Sequence, residues 1–278
     1  MQSRRQASIL RLLQDTGAQS IAALADRLGV SSETVRRDIR ALAETGEVQR
    51  VHGGASLPET QGEAPFRRRM RANAAGKQAI AQRLAATVRN GDSLMLDTGT
   101  TTSFVARALT GHSRLTVITN STDVARILSS GGGNRVLLAG GQLRPDSGAV
   151  LGEEATAFIQ RHAAHIAVIS AGALMAGEVM DFDPSEAGLA RAMLSRCDRR
   201  VLVTDTTKFE KRGLVTVCRY DELHEIVTDG DVSASERRAI GDAGVTLVVA
   251  AAGPEAERQP EETLSPERPH PAPDSQTG

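Results

Sequence analysis

The chain has 278 residues, enough for two domains, and 40% of them are apolar, enough for a packed core. It contains no run of eighteen apolar residues, which excludes a membrane-spanning helix. The charged start MQSRRQASILRLLQDTG lacks the apolar block and cleavage site of a signal peptide, so a cytoplasmic protein is expected.

The net charge of -1 hides an uneven distribution. Residues 1–71 carry twelve Lys/Arg against eight Asp/Glu, and residues 254–278 carry two against six. Such asymmetry suits a basic part that faces an acidic partner. Cys197 and Cys218 fit reduced packing better than a disulfide framework.

From the amino end, residues 4–14 place Ile9, Leu12 and Leu13 at helical spacing, with Arg4 and Arg5 at the start, where they can hold phosphates. IAALADRL follows as a second helix. Ser20 is its N-cap, Ala22, Leu24, Ala25 and Leu28 are its contacts, and Gly29 is its left-handed stop. In VSSETVRRDIRAL, Val35, Ile39 and Leu42 share one apolar stripe and Ser31 is placed to cap. Glu33, Arg37, Arg40 and Glu44 point the opposite way, with Arg36 on the flank.

Helix, glycine turn, helix is the helix-turn-helix layout. Its second helix enters the DNA major groove with its N-terminal residues at the base edges, a position that Ser32, Glu33, Thr34, Arg36 and Arg37 occupy. An arginine there pairs with guanine or forks on a phosphate, although arginines on a helix face are most often solvated. The cap, the tight turn and the neighbouring helix favour DNA. GEVQRVHGGASL alternates Val48, Arg50 and His52 against Gln49 and Val51 and turns at Gly53-Gly54, which reads as a hairpin or wing. Arg50 and His52 then reach the DNA backbone or minor groove; for His52 alone, a turn residue without contacts is an equal reading.

LPETQGEAPFRRRM reads as a linker, and its Arg67, Arg68, Arg69 and Arg71 as a solvated face in preference to a DNA contact. NAAGKQAIAQRLAATVRNGD has Ile80, Leu84 and Val88 at helical spacing. Beyond it, the runs SLMLD, LTVITN, RVLLAGG, HIAVISAGAL, RRVLVTD, EIVTDG and TLVVA alternate with the helical patterns TTSFVARAL, STDVARILSS, EEATAFIQRH, SEAGLARAMLSR and SASERRAIGDAG. Continuous apolar strands separated by helices predict an α/β fold with a mostly parallel sheet.

Ligands of such sheets sit beyond the carboxyl ends of the strands. There stands LDTGTTTSF, where a strand ends at Asp97 and a glycine loop leads into a helix. Its backbone N–H groups and threonine hydroxyls form a phosphate cradle, and threonines before a helix are good caps with or without a ligand. Asp97 accepts from ligand hydroxyls or orders the loop. Asn120 follows LTVIT, Gly140-Gly141 allows close backbone approach, Asp205 ends VLVT, and Lys208 is a phosphate counter-charge or a surface lysine. Glu186 starts a helix, where the dipole favours a carboxylate in any case.

LADRLGVSSETVRRDIRALAETGEVQRVHGGA resembles the N-terminal domain of the DeoR family of bacterial transcriptional regulators, matching LA..L.VS..T.RRD...L...G...R.HGGA without gaps. The later motifs, LD.GTTT, the TNS of ITNS, GG after a strand, EA...ARAM, D..KF and TD, resemble that family's sensor domain, in order. The resemblance implies a winged operator-binding domain, with Asp38 as a structural partner between helices. It also implies a sensor with the fold of ribose-5-phosphate isomerase that binds phosphorylated sugars. Carried over, Gly99, Thr100, Thr101 and Thr102 hold the phosphate with Lys208, while Asp97, Asn120, Glu186 and Asp205 line the remainder. Thr207 stands where the family often has serine and keeps the hydroxyl.

The expected organisation is a DNA-binding domain over residues 1–57, a linker over 58–74, a sensor over 75–252 and an unordered Pro-rich tail over 253–278. The expected partners are double-stranded operator DNA, a sugar phosphate and further copies of the chain, with no membrane. The expected role is a DNA-binding repressor of a sugar or carbohydrate catabolic operon, without cofactor, metal or catalytic residues. Its rival is a sugar-phosphate isomerase carrying a DNA domain, with Asp97, Glu186 or Asp205 as base. His162 and His165 have no further ligands nearby in sequence to make a metal site.

Overall fold

The computed structural model describes residues 4–250 except Gly46, His52 and residues 57–62. The tail expectation and His52 therefore lie outside the described residues.

The first domain holds α1 (Arg4–Thr16), β1 (Gln19–Ser20), α2 (Ile21–Leu28), α3 (Ser32–Glu44), β2 (Gln49–Val51) and β3 (Gly54–Ser56). Its core joins Ile9, Leu13, Leu24, Val35, Ile39, Leu42 and Val48. Each fully buried aliphatic side chain contributes about 1.5–3 kcal/mol. Ser20 caps α2 by accepting from the Ala23 N–H at 3.1 Å, and Gly29 ends that helix in the left-handed region at φ 63°. Ala22, expected as a core contact, is exposed, and Ile21 packs instead. The wing is antiparallel, but β3 also pairs with β1, making a three-stranded ribbon. The expected two-faced alternation stops at Val48, because Gln49, Arg50 and Val51 are all exposed.

The expected linker contains a short helix, α4 (Phe66–Arg71), with Phe66 buried. Arg67, Arg68 and Arg71 are exposed, as expected of a solvated face. Arg69 is not: it pairs with Glu63 at 2.5 Å and lies over the Phe66 ring.

The second domain runs α5 (Ala74–Ala85), β4 (Ser93–Leu96), α6 (Thr100–Ala108), β5 (Thr116–Thr119), α7 (Thr122–Ser129), β6 (Arg135–Leu138), β7 (Gln142–Arg144), β8 (Ala149–Leu151), α8 (Glu153–Gln160), β9 (Ala164–Ile169), β10 (Ala173–Met175), β11 (Glu178–Asp181), α9 (Pro184–Leu194), β12 (Cys197–Val203), β13 (Val215–Arg219), β14 (Glu225–Thr228), α10 (Ala234–Asp242) and β15 (Thr246–Val249). Seven strands form one sheet in the order β15-β14-β12-β9-β4-β5-β6, every pair parallel. Strand alternation splits the core. Leu94, Leu96, Val168 and Val203 face α5 and α6, while Met95, Ala167, Ile169 and Leu202 face the other side with α9.

The chain builds β4, β5 and β6 in one direction and then returns to β9 on the far side of β4. The strand order therefore switches between β4 and β9, the place at the carboxyl ends where open parallel sheets generally bind ligands. Two smaller antiparallel pieces, β7-β8 and β10-β11-β13, were not read from the sequence.

Candidate functional site

The first turn of α3 is fixed by its own cap. Ser31 Oγ accepts from the Thr34 N–H at 3.3 Å and lies 2.9 Å from Thr34 Oγ1. Ser32 and Thr34 are half-buried, whereas Glu33, Arg36, Arg37 and Arg40 are exposed. Arg36 meets Glu33 at 3.4 Å, a surface pair that contributes little. Arg36, Arg40 and Arg50 line one small cleft between α3 and the wing, so the fold brings the helix and wing arginines together. Arg4 is exposed at the start of α1.

Arg5, expected to hold a DNA phosphate, is also engaged within the protein. Its Nε and Nη2 donate to the two carboxylate oxygens of buried Asp38 at 2.5 and 3.2 Å. The fork ties α1 to α3 and gives the buried acid the partner it needs.

At the other end of the chain, the parallel strands deliver the remaining candidates to one edge. Asp97 follows β4, Asn120 follows β5, and Asp205 follows β12. Six buried side-chain polar atoms have no hydrogen-bond partner among the described residues. Four of them, Thr98 Oγ1, Asn120 Oδ1, Thr204 Oγ1 and Thr228 Oγ1, stand at carboxyl ends of strands. An unpaired buried polar atom costs about 1–3 kcal/mol, so their grouping on one edge sets the strand ends apart from the rest of the core.

Gly99 opens α6 without a side-chain cap, leaving the first N–H groups without intrahelical acceptors. A Cβ at Gly99 would stand 2.1 Å from Ser170 Oγ, so any larger residue would force the Ser170 hydroxyl aside. Thr102 Oγ1 and Ser103 Oγ both donate to the Gly99 carbonyl, at 3.0 and 2.9 Å. The Thr102 hydroxyl is thus used internally, and Thr100 and Thr101 are buried in the same turn.

Gly140 and Gly141 are exposed beyond the edge strand β6. At Gly141, φ is 146°, and a Cβ would stand 2.6 Å from the Leu151 carbonyl. The close approach expected of this pair is made to the chain's own β8.

The acids sort by environment. Asp97 Oδ1 accepts from the Thr98 N–H at 2.6 Å and so orders the loop. Burial, then the charge of Glu186, raises its pKa well above the usual carboxylate range. Glu186 is itself pushed up to about 7, by burial and then by Asp181, although Arg144 pairs with it and also with Asp183 at 2.5 Å. Both acids are thus shifted toward the protonated form, in which a carboxyl can donate as well as accept. Asp205 Oδ1 accepts from the Thr207 N–H at 3.0 Å and from the Thr207 hydroxyl.

Sequence reasoning missed Lys77. Its ammonium is buried, 3.8 Å from Asp205 Oδ2, and donates to the carbonyls of Arg69 and Ala72 at 2.5 and 2.6 Å. Burial lowers its pKa against the pull of Asp205. Lys208 is half-buried, and its Nζ donates to Glu63.

A winged helix-turn-helix ahead of an α/β unit whose strand ends gather buried polar side chains is the architecture of a DNA-binding regulator with a sensor. Residues 5–61 match the DeoR-like helix-turn-helix domain, and residues 72–230 match the DeoR C terminal sensor domain. The chain belongs to the DeoR family. It is 33% identical over 246 residues to the HTH-type transcriptional repressor CsqR of Escherichia coli (strain K12), covering 88% of this chain and 94% of that one. Against the glycerol-3-phosphate regulon repressor of the same organism it is 31% identical over 247 residues, covering 88% and 98%. Among solved structures, ribose 5-phosphate isomerase A from Methanocaldococcus jannaschii overlaps 49% of this chain and 54% of its own, at 14% identity and a TM-score of 0.37. The chain thus spans about half the length of that enzyme.

Proposed function

We propose that the chain is an operator-binding repressor, working as a homo-oligomer, whose hold on DNA is set by a phosphorylated sugar or related metabolite. Residues 1–57 grip the duplex through Ser31, Ser32, Glu33, Thr34, Arg36, Arg37 and Arg40 of the recognition helix, Arg50 of the wing, and Arg4. Residues 58–74 connect that domain to the sensor over residues 75–252. In the sensor, the start of α6 with Gly99, Thr100 and Thr101 takes the phosphate, and Lys208 supplies a counter-charge. Asp97, Asn120, Glu186 and Asp205 meet the hydroxyls.

The observation that carries this reading is the set of unpartnered buried polar atoms at the strand ends, beside a helix start that no side chain caps. Relatives named for the glycerol-3-phosphate regulon support a phosphorylated effector.

Binding without turnover is the expected behaviour. A thermal-shift screen with sugar phosphates finds the effector, because a ligand of the native state raises Tm by mass action. Thr101→Ala combined with Lys208→Ala is expected to abolish that shift while operator binding persists. A full shift in the double variant would misplace the phosphate site. Turnover in a coupled isomerase assay would favour an enzyme instead.

A further inference from the structure

The segment that joins the two domains carries an ion-pair arrangement of its own. Glu63, just ahead of α4, presents one carboxylate oxygen to Lys208 Nζ and the other to Arg69 Nη1, the latter at 2.5 Å. The three side chains are 18%, 19% and 21% exposed, so each is largely withdrawn from water. Lys208 lies 145 positions away from Glu63 in sequence, beyond the end of β12. Arg69 is braced by donating Nε to the Ala64 carbonyl at 2.8 Å and by the Phe66 ring beneath its guanidinium. A lysine of the sensor and an arginine of the linker thus converge on one carboxylate, the arrangement that two cations offer a phosphate. The charges of Glu63 and Arg69 reach Asp181 at the end of β11, and that of Arg69 reaches Glu186 in α9.

We propose that Arg69 and Lys208 form the anion clamp of the sensor, and that Glu63 is its tethered occupant, expelled when a phosphomonoester binds. This rests on reading the strand ends as the site of a phosphorylated ligand. A phosphomonoester carries about 1.5 to 2 negative charges and three acceptor oxygens, so it satisfies two cations better than one carboxylate does. The tether raises the local concentration of the carboxylate, so the ligand must displace a competitor that is always present. Expulsion also has a mechanical consequence. Glu63 leads directly into α4, and Arg68 of that helix lies beside Gly17 at the end of α1. Release of Glu63 therefore loosens the connection to the DNA-binding domain.

The test uses the full chain and inorganic phosphate, with chloride at matched ionic strength as control. Glu63→Gln is expected to bind phosphate about fivefold or more tightly than the unaltered chain in a thermal-shift titration, fivefold being the low end of ordinary coupling factors. Arg69→Ala is expected to lose the phosphate response. Hydrogen-exchange mass spectrometry of residues 58–72 supplies a readout that needs no variant. Phosphate is expected to speed exchange there in the unaltered chain, the reverse of ordinary ligand protection, and Glu63→Gln is expected to exchange fast without phosphate. Equal phosphate affinity in the two proteins, with exchange unmoved, would overturn the tethered occupant and leave the sensor reading standing. No phosphate response in any of the three proteins would remove the anion site and the sensor reading with it.

Discussion

Glu186 holds its proton up to about pH 7 in the folded chain, against an ordinary value of 4.5. A carboxyl with a raised folded pKa favours the native state fully below its unfolded pKa and loses that contribution as pH rises through the folded one. Stability is therefore expected to fall between about pH 4.5 and 7 from this group. Glu186→Gln mimics the protonated form at every pH and keeps a hydrogen bond to Arg144. It is expected to be about 3 kcal/mol more stable than the unaltered chain at pH 8 and close to it at pH 4.5, each pKa unit between 4.5 and about 7 being worth about 1.4 kcal/mol. Urea denaturation at the two pH values checks this, and a gap of the same size at both would count against it. The position of Glu186 at a helix start was legible in the sequence, as were Asp97, Asn120 and Asp205, because strand ends are where such residues gather. Arg5 and Lys77 were not. A lysine in NAAGKQAIAQRL and an arginine near the amino end read as solvated, since nothing local shows that Asp38 lies 33 positions on or that the carbonyls of α4 fold back over Nζ.

Elements were easier to read than side chains where one local period governs them. Every run assigned to the parallel sheet became one of its strands, because a buried strand must be apolar on both faces. HIAVISAGAL failed as a single run: it breaks after Ile169 and resumes as β10 at Ala173. The Gly172 N–H turns to the Met180 carbonyl at 3.1 Å, and Phe182 fills the space beside Gly172, contacts set by a distant loop. Helix α3 shows the same division between a local signal and a remote one. Its cap and stripe were plain, while the role of each arginine depends on what it meets. Arg37→Ala is expected to weaken operator binding with little change in Tm, because its side chain is exposed. Arg5→Ala is expected to lower Tm, because Asp38 loses its fork. If Arg37 holds a phosphate, the loss is uniform across sequences and the salt slope drops by about one; if it reads a base, specificity relaxes at one position. Gel retardation across a salt series separates these results, and an unchanged affinity for Arg37→Ala would take α3 out of the interface.

For the whole molecule, the question is how occupancy of the sensor reaches the DNA-binding domain, and Lys77 stands on that route. From α5 its ammonium holds the Arg69 and Ala72 carbonyls at the end of α4 and faces Asp205 beyond β12. One buried charge thus fastens the linker helix to the strand ends. Lys77→Met keeps the apolar stem, leaves the Arg69 and Ala72 carbonyls without their donor and takes the nearby cation from Asp205. The expected loss is about 2–3 kcal/mol, since stranded buried acceptors cost about 1–3 kcal/mol each and some rehydrate. At about 2–4 °C per kcal/mol for a domain of this size, Tm falls by roughly 4–12 °C. Stability alone would make Lys77 a structural residue. Coupling makes a separate prediction, because an effector shifts DNA affinity only through a difference between two states that both sites sense. With the linker helix unfastened, the effector is expected to bind with nearly its normal affinity and yet release operator DNA less completely. The measurement is the ratio of operator affinities with and without saturating effector, taken below the variant's lowered Tm. A ratio equal to that of the unaltered chain would show that the signal travels to α1 by a route that avoids this lysine.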